Sequence, residues 1–172
     1  MEPLIHFVVP FTALKLAGVK FRKALPISLL ALLPDLDALF LVHRSLSHSI
    51  VVVSIMMAPF LLLAYRFKPR LQGYALLALM VAASHLILDV FAGYTPILWP
   101  LYGHSVWIQA GLVAHIGSSP NLMPNAQLLH KPITFQPLQS LDAPLFTGEG
   151  LILSAVLLMA VFFKAFRRVV ER

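Results

Sequence analysis

The sequence predicts an all-α protein that crosses a membrane several times. Three observations lead to this fold class: 59% of the 172 residues are hydrophobic, only 12% are charged, and the mean hydropathy is +0.86. A soluble domain carries roughly 25% charged residues, which cover its surface. The composition therefore excludes an ordinary soluble domain, and it equally excludes a disordered or collagen-like chain.

The absence of cysteine limits the chemistry that the chain can perform. Disulfides, thiolate nucleophiles and cysteine-based metal sites are excluded, so His, Asp and Glu are the strong ligands that remain. The net charge of +6 and the pI near 10.0 would indicate nucleic acid in a soluble protein. Here the basic residues fall in short clusters beside apolar segments, which indicates membrane topology and not nucleic acid as the primary partner.

Five apolar segments are long enough to cross the bilayer as helices. The three clearest are residues 49–65, 73–93 and 150–166, each close to the ~20 residues that a span requires. Residues 4–19 and 25–42 are weaker, because prolines and charged residues interrupt them. We therefore expect about five transmembrane helices in a single membrane-embedded domain.

The basic clusters predict the orientation of these spans. They lie at residues 20–23, 66–70 and 164–172, and such clusters face the cytoplasm. The N-terminus, which lacks the features of a cleavable signal, is then outside and the C-terminus inside a plasma or inner membrane. Residues 1–93 form four spans, and residues 150–172 form the last span and a basic cytoplasmic tail.

Residues 94–149 should form a cap on the outer face. This stretch is rich in Pro, Asn, Gln and Ser and has one lysine, and its Trp99 and Trp107 are suited to the membrane interface. We expect an irregular cap with one interfacial helix around residues 105–115.

Ionisable residues inside the spans predict a functional site. An unpaired charge there would cost at least ~2.5 kcal/mol, so each group needs a partner. The topology places all of them in the outer half of the membrane, because helical depth changes by about 1.5 Å per residue. The candidate metal ligands are His6, Asp35, Asp37, His43, His48, His85 and Asp89.

The spacing of these residues suits metal binding. His85 and Asp89 are four residues apart in a helical context, so they share one face. Pro34 prevents a regular helix around Asp35 and Asp37, and a kink could turn both carboxylates inward.

A polar turn at residues 43–49 precedes the next hydrophobic helix. Ser45 or Ser47 could cap that helix while the two histidines of the turn face the cavity. Arg44 is the one cation on the outer side of this region, where it could hold a phosphate or balance a carboxylate.

Each element also has a structural interpretation. An intramembrane Asp or His can serve only as a hydrogen-bonding residue, and residues 33–37 could form a kinked helix with an ion pair to Arg44. The common depth of the seven groups favours a metal site. Outside this layer, Glu149 is expected to be an interfacial or helix N-terminal charge, and the histidines expected to be solvated loop residues are His104, His115 and His130.

Four sequence motifs resemble the YdjM-like family of membrane-bound metal-dependent hydrolases. They are LPDLD at 33–37, HRSLSHS at 43–49, SHLILD at 84–89 and TPILWP at 95–100. The second motif departs from the family at Ser45, where glycine is usual, and at Ser47, where threonine is usual. The resemblance covers most of residues 1–102, whereas residues 103–147 do not align.

The resemblance implies a metal-dependent hydrolase, and distant kinship to zinc-dependent phospholipase C and P1-type nucleases implies phosphoester chemistry. We expect a membrane lipid or lipid-linked phosphoester as substrate and Arg44 and Asp37 as catalytic residues. A His/Asp set without cysteine suits Zn²⁺, and also Mn²⁺ or Fe²⁺, with two or three ions expected. The alternatives are a non-catalytic metal-binding or ion-translocating membrane protein and a structural subunit without metal.

Overall fold

The computed structural model describes residues 2–42, 44–117, 120–135, 139–140 and 144–170, with the backbone alone at 168 and 169. The chain is mostly helical, with short 3-10 segments between the helices and one pair of strands. In chain order the elements are α1 (Pro3–Leu16), α2 (Phe21–Leu29), α3 (Ile50–Phe67), α4 (Gln72–Ala92), β1 (His104–His115), β2 (Asn121–Pro132) and α5 (Gly148–Val170).

Three helices in the described part of the chain are long and apolar enough to cross a membrane. They are Ile50–Phe67, Pro69–Ala92 and Gly148–Arg167, which agree closely with the three clearest predicted spans. Their outward side chains are apolar: Ile55 and Leu62 are both 67% exposed. Hydrophobic side chains on the outer surface of a helix bundle are typical of a protein that faces lipid.

The two weaker predicted spans are not continuous long helices, so the five predicted spans are not supported. Helix α1 has 14 residues and is therefore only about 21 Å long. Helix α2 ends at Leu29, and the chain continues as 3-10 segments, including Pro34–Phe40. Pro34 has no amide donor and therefore cannot make an α-helical hydrogen bond to the preceding turn, although Leu33 before it keeps α-region dihedral angles.

Helices α1 and α5 pack side by side in a parallel arrangement. Glu2, just before α1, lies against Gly150 in the first turn of α5, where a side chain would overlap its carboxylate. At the other end, the Lys164 ammonium donates to the Leu16 carbonyl. A buried apolar cluster joins α1, α2 and α4, and it contains Phe11, Leu14, Ala24, Ile27, Ala31 and Val81.

The two ends of the bundle differ in chemistry. Lys23 contacts the hydroxyl of Tyr74, at the beginning of α4, and its ammonium lies 4.3 Å from the ring centroid. His85 and Asp89 lie near the opposite end of α4. The basic connections and the candidate ligands therefore lie at opposite ends, as the charge pattern predicts.

Residues 104–115 and 121–132 form the two strands of a β-hairpin, so the predicted interfacial helix around residues 105–115 is wrong. Strands β1 and β2 pair antiparallel from His104↔Pro132 to His115↔Asn121. Val106, Trp107 and Ile108 are residue types that favour strands, and they were the signal for a strand. The fold is therefore helical with a two-stranded sheet, and not all-α. Much of the region predicted to be an irregular cap has regular secondary structure.

Candidate metal centre

Helix α4 supplies two of the candidate ligands. His85 and Asp89 are completely buried on one face of the helix, as their four-residue spacing predicts. His85 Nε2 lies 3.4 Å from Asp89 Oδ2. The other carboxylate oxygen of Asp89, Oδ1, faces away from His85 toward His6 and Arg44.

Asp35 approaches this pair from the segment that begins at Pro34. That segment is a 3-10 helix, Pro34–Phe40, which confirms that proline prevents a regular α-helix here. Asp35 Oδ1 lies 3.3 Å from His85 Nε2 and 3.4 Å from His48 Nε2. The break in the helix therefore brings a carboxylate from an apolar segment into contact with two histidines.

His48 is held by the turn just before α3. Ser49, and not the predicted Ser45 or Ser47, caps the helix: its hydroxyl accepts hydrogen bonds from the amides of Val51 and Val52. The same hydroxyl donates to the carbonyl of Trp99, and the amide of Ile50 donates to the Ile97 carbonyl at 2.9 Å. Residues 95–100 are therefore hydrogen-bonded to the N-terminus of α3, next to His48.

The ligand atoms of four residues lie within 4.8 Å of one another, and the residues are Asp35, His48, His85 and Asp89. The separations that involve Nε2 of either histidine are 3.1–3.4 Å, including 3.3 Å between the two Nε2 atoms. Four ligands around an ion at ~2.0–2.1 Å in a regular tetrahedron would be about 3.3–3.4 Å apart. These five separations therefore suit one ion held by all four residues, and the sixth, between the Asp35 and Asp89 carboxylates, is within 4.8 Å.

Carboxylate oxygens of Asp35 and Asp89 point into this centre. Asp35 Oδ1 and Asp89 Oδ2 are buried and accept no hydrogen bond within the described residues. Two carboxylates brought this close repel each other unless a cation lies between them. Two histidines and two aspartates without cysteine are a ligand set that suits Zn²⁺, Mn²⁺ or Fe²⁺, so the residues fit the metal that the sequence predicts.

Asp37 lies on the far side of His48 from this centre. Its Oδ2 is 3.2 Å from His48 Nδ1, and it accepts hydrogen bonds from the Ser45 amide and from the hydroxyls of Ser45 and Ser47. If Nδ1–H of His48 donates to this carboxylate, Nε2 keeps its lone pair toward the other ligands. Asp37 is thus predicted as a ligand but is placed where it can orient one.

His6 lies at the edge of the centre. It is buried, its Nε2 is 3.5 Å from Asp89 Oδ1, and its ring centroid is 4.0 Å from that of His85. It is not one of the four grouped residues. Because His6 belongs to α1, it brings the helix that packs on α5 into contact with the centre. The predicted ligand His43 lies outside the described residues.

Arg44 is also close, on the Oδ1 side of Asp89. Its Nη2 is 3.4 Å from Asp89 Oδ1, and its Nη1 donates to the Tyr94 carbonyl at 3.2 Å. The guanidinium crosses directly over Gly93, where any side chain would overlap it. Arg44 could be identified from the sequence. The need for glycine at position 93, which is 49 residues later, could not, because it arises from a contact in the folded chain.

The remaining ionisable residues of interest lie outside this centre. The histidines of the hairpin, His104, His115 and His130, are exposed. Tyr102 lies with its hydroxyl 3.2 Å from His130 Nδ1. Glu149 is in the first turn of α5, as predicted for a charge at a helix N-terminus.

An apolar cavity of about 120 Å³ lies beside the centre. Pro34 and Ser47, which line it, are the sequence neighbours of Asp35 and His48, and side chains of α3 and α4 complete the wall. Met56 of this wall is 65% exposed on the outer surface of the bundle. The cavity therefore lies between the exposed outer surface of α3 and the segments that carry Asp35 and His48, although neither of these two residues lines it.

Membrane-spanning helices and a buried group of histidines and aspartates at one end of them define an integral membrane protein with a candidate metal centre. A family model described as YdjM inner membrane protein matches residues 1–168. The chain belongs to this family, and the match includes residues 103–147, which the motif resemblance left unaligned. No curated protein and no solved structure matches the chain.

Proposed function

We propose that the protein is a metal-dependent hydrolase embedded in the membrane that acts on a phosphoester of a lipid or a lipid-linked substrate. The observation that carries this proposal is the close grouping of the buried ligand atoms of Asp35, His48, His85 and Asp89. These four residues would hold one divalent ion, with Zn²⁺ favoured over Mn²⁺ and Fe²⁺. Two or three ions would need further ligands, for which His6 and Asp37 are candidates.

A divalent ion in such a site lowers the pKa of bound water and neutralises negative charge on a phosphoryl group. The residues around it have separate roles. Asp37, held by Ser45 and Ser47, keeps His48 in one orientation. Arg44 presents a planar guanidinium beside Asp89, and such a group can donate to two oxygens of a phosphate.

A lipid substrate is favoured by the cavity beside the centre. Its lining is almost wholly apolar, and it extends from exposed side chains of α3 to Pro34 and Ser47. An acyl chain in this cavity would bring the attached headgroup next to Asp35 and His48. A water-soluble phosphoester would gain nothing from such a lining.

We further propose that the centre faces the outer side of the plasma or inner membrane. The support is the separation of the basic connections from the candidate ligands along α1 and α4, since basic clusters mark the cytoplasmic side. The C-terminus of α5 would then be cytoplasmic. Cysteines introduced at Lys68 and Gln127 should react with a membrane-impermeant reagent from opposite faces of sealed vesicles, and labelling from the same face would contradict this orientation.

The hydrolase proposal is tested with purified protein in detergent, whose metal content is measured by elemental analysis. The metal-loaded protein is incubated with a panel of lipid phosphoesters and with their water-soluble headgroup analogues. We expect hydrolysis of at least one lipid substrate and weaker hydrolysis of the analogues. Absence of hydrolysis over the whole panel, together with metal flux across proteoliposomes, would instead support the ion-translocating alternative.

A further inference from the structure

The β1–β2 hairpin has two chemically different faces. Alternate residues of a strand point to opposite faces, and residues paired across the strands share a face. The register therefore places alternate residues from Val106 to Ala114 on one face, together with their partners from Leu122 to His130. His130 is the only polar residue among these ten, which we call the apolar face.

The opposite face is polar along the middle of the hairpin. Gln109 pairs with Gln127, and Gly111 pairs with Asn125. At its base this face packs on the end of α4, where Trp107 Nε1 donates to the Phe91 carbonyl at 3.2 Å. We call it the polar face.

The apolar face is open. Leu112 is 66% exposed, Leu122 is 65% exposed and Leu128 is 56% exposed. Toward the far ends of the strands the opposite face is apolar as well, because Val113 and Met123 on that face are also exposed. Large exposed apolar surfaces mark sites of contact with a partner or a membrane.

Charge and position both indicate lipid as the partner of this face. Lys131 is the only Asp, Glu, Lys or Arg between residues 104 and 132. At the base of the hairpin, the rings of Tyr94 and Trp107 lie 5.3 Å apart beside the end of α4, and Trp99 follows in the same loop. Tyr and Trp are enriched where a helix leaves the hydrocarbon and meets the headgroups. The hairpin therefore begins at the depth expected for the membrane surface.

We propose that, beyond its base, where Trp107 packs on the end of α4, the hairpin lies on the membrane surface, with the apolar face on lipid and the polar face toward water. Within the described residues the outer edge of β1 is paired only at Val106, which exchanges backbone hydrogen bonds with Thr95, and backbone groups at an unpaired edge cannot remain without partners in hydrocarbon. The hairpin therefore lies at headgroup depth, where water and headgroups satisfy its edges. This role is independent of the metal centre and of any hydrolase activity.

The test uses single cysteines, since the chain has none of its own. Leu112→Cys and Leu128→Cys report on the apolar face, and Gln109→Cys and Gln127→Cys are matched controls on the same strands. Each variant carries an environment-sensitive fluorophore in vesicles of phosphatidylethanolamine and phosphatidylglycerol. We expect quenchers attached to the acyl chains to act at the first pair, and aqueous iodide to quench the control pair several-fold more strongly.

Two outcomes would overturn the proposal. Equal iodide quenching at all four positions would show that the hairpin projects into water. Protection of the apolar face that disappears when the protein is diluted to one molecule per vesicle would show that a second copy of the chain covers it. Size-exclusion elution of each labelled variant like that of the unlabelled protein verifies that the label has not disturbed the fold.

Discussion

The candidate metal centre and the hairpin are built in opposite ways. The centre combines side chains from α1, from α4 and from the two turns before α3, and His48, His85 and Asp89 are completely buried there. The hairpin is formed by residues that pair within a single stretch of 29 positions and remain largely exposed. Substitutions in the centre should therefore disturb several elements together, whereas those in the hairpin should act locally.

The largest effect should follow the loss of Asp89, which contacts His6, Arg44, His48 and His85. Asp89→Ala should abolish most metal binding. It should also lower the melting temperature in detergent, because removing one partner of a buried ion pair typically costs about 3–5 kcal/mol. Elemental analysis and thermal unfolding measure the two effects.

The control for this experiment is His104→Ala, which changes an exposed histidine of the hairpin. It should retain the metal and the melting temperature of the unsubstituted protein. Unchanged metal content in both Asp89→Ala and His85→Ala would refute the proposed centre.

The next largest effect concerns Arg44 and activity. Arg44→Ala should retain metal but lower kcat/KM by about 10²–10³-fold, as expected for a lost donor to transition-state charge. Arg44→Lys should recover part of the loss, because a point charge cannot replace a bidentate fork. Steady-state kinetics with a lipid phosphoester, combined with metal analysis, measures both changes.

Gly93→Ala sharpens this prediction without changing a charged residue. The new methyl group would occupy the position of the Arg44 guanidinium and displace it. Gly103→Ala is the matched control, because a methyl group there meets no atom within 4 Å. If both variants are equally active, Arg44 does not act from the position that it has in this structure.

A smaller effect is expected for Asp37, since it orients a ligand. Asp37→Asn keeps the shape but removes the charge next to His48, and loss of such a partner typically weakens metal affinity about 10–100-fold. Competition with a metal chelator measures this affinity. Glu149→Gln, which neutralises an exposed carboxylate, should leave it unchanged. A loss as complete as that of Asp89→Ala would instead assign Asp37 as a direct ligand.

The smallest effect should come from the hairpin. Leu112→Ser and Leu122→Ser change exposed side chains far along the strands from the end of α4. Each should alter the stability of the helical part by less than about 0.5 kcal/mol and leave metal content unchanged. Loss of metal in either variant would contradict the separation of the two regions.

The parts that the sequence predicts well depend on local patterns. Length and hydropathy determine the three long helices, and helical spacing alone places His85 and Asp89 on one face. Pro34 likewise predicts an interruption of the helix at Asp35. These features require no knowledge of how distant segments pack.

The features that were missed depend on contacts between distant segments or on a competing local pattern. Ser49 caps α3 while its hydroxyl reaches Trp99, so Ser45 and Ser47 remain available for Asp37. The close approach of Arg44 to Gly93 likewise joins segments that are far apart in sequence. The strands were missed because the prolines and polar residues of 94–149 are typical of irregular structure, whereas only short groups such as Val106, Trp107 and Ile108 favour a strand.

The parallel pairing of α1 with α5 has a consequence for the order in which the protein is made. Ribosomes release α1 long before α5, so α1 must wait for its neighbour until nearly the whole chain has been synthesised. His6 belongs to α1 and packs on the ring of His85. Assembly of this end of the bundle is therefore complete only after α5 has been synthesised. If synthesis stops before α5, the helix that carries His6 lacks the helix on which it packs.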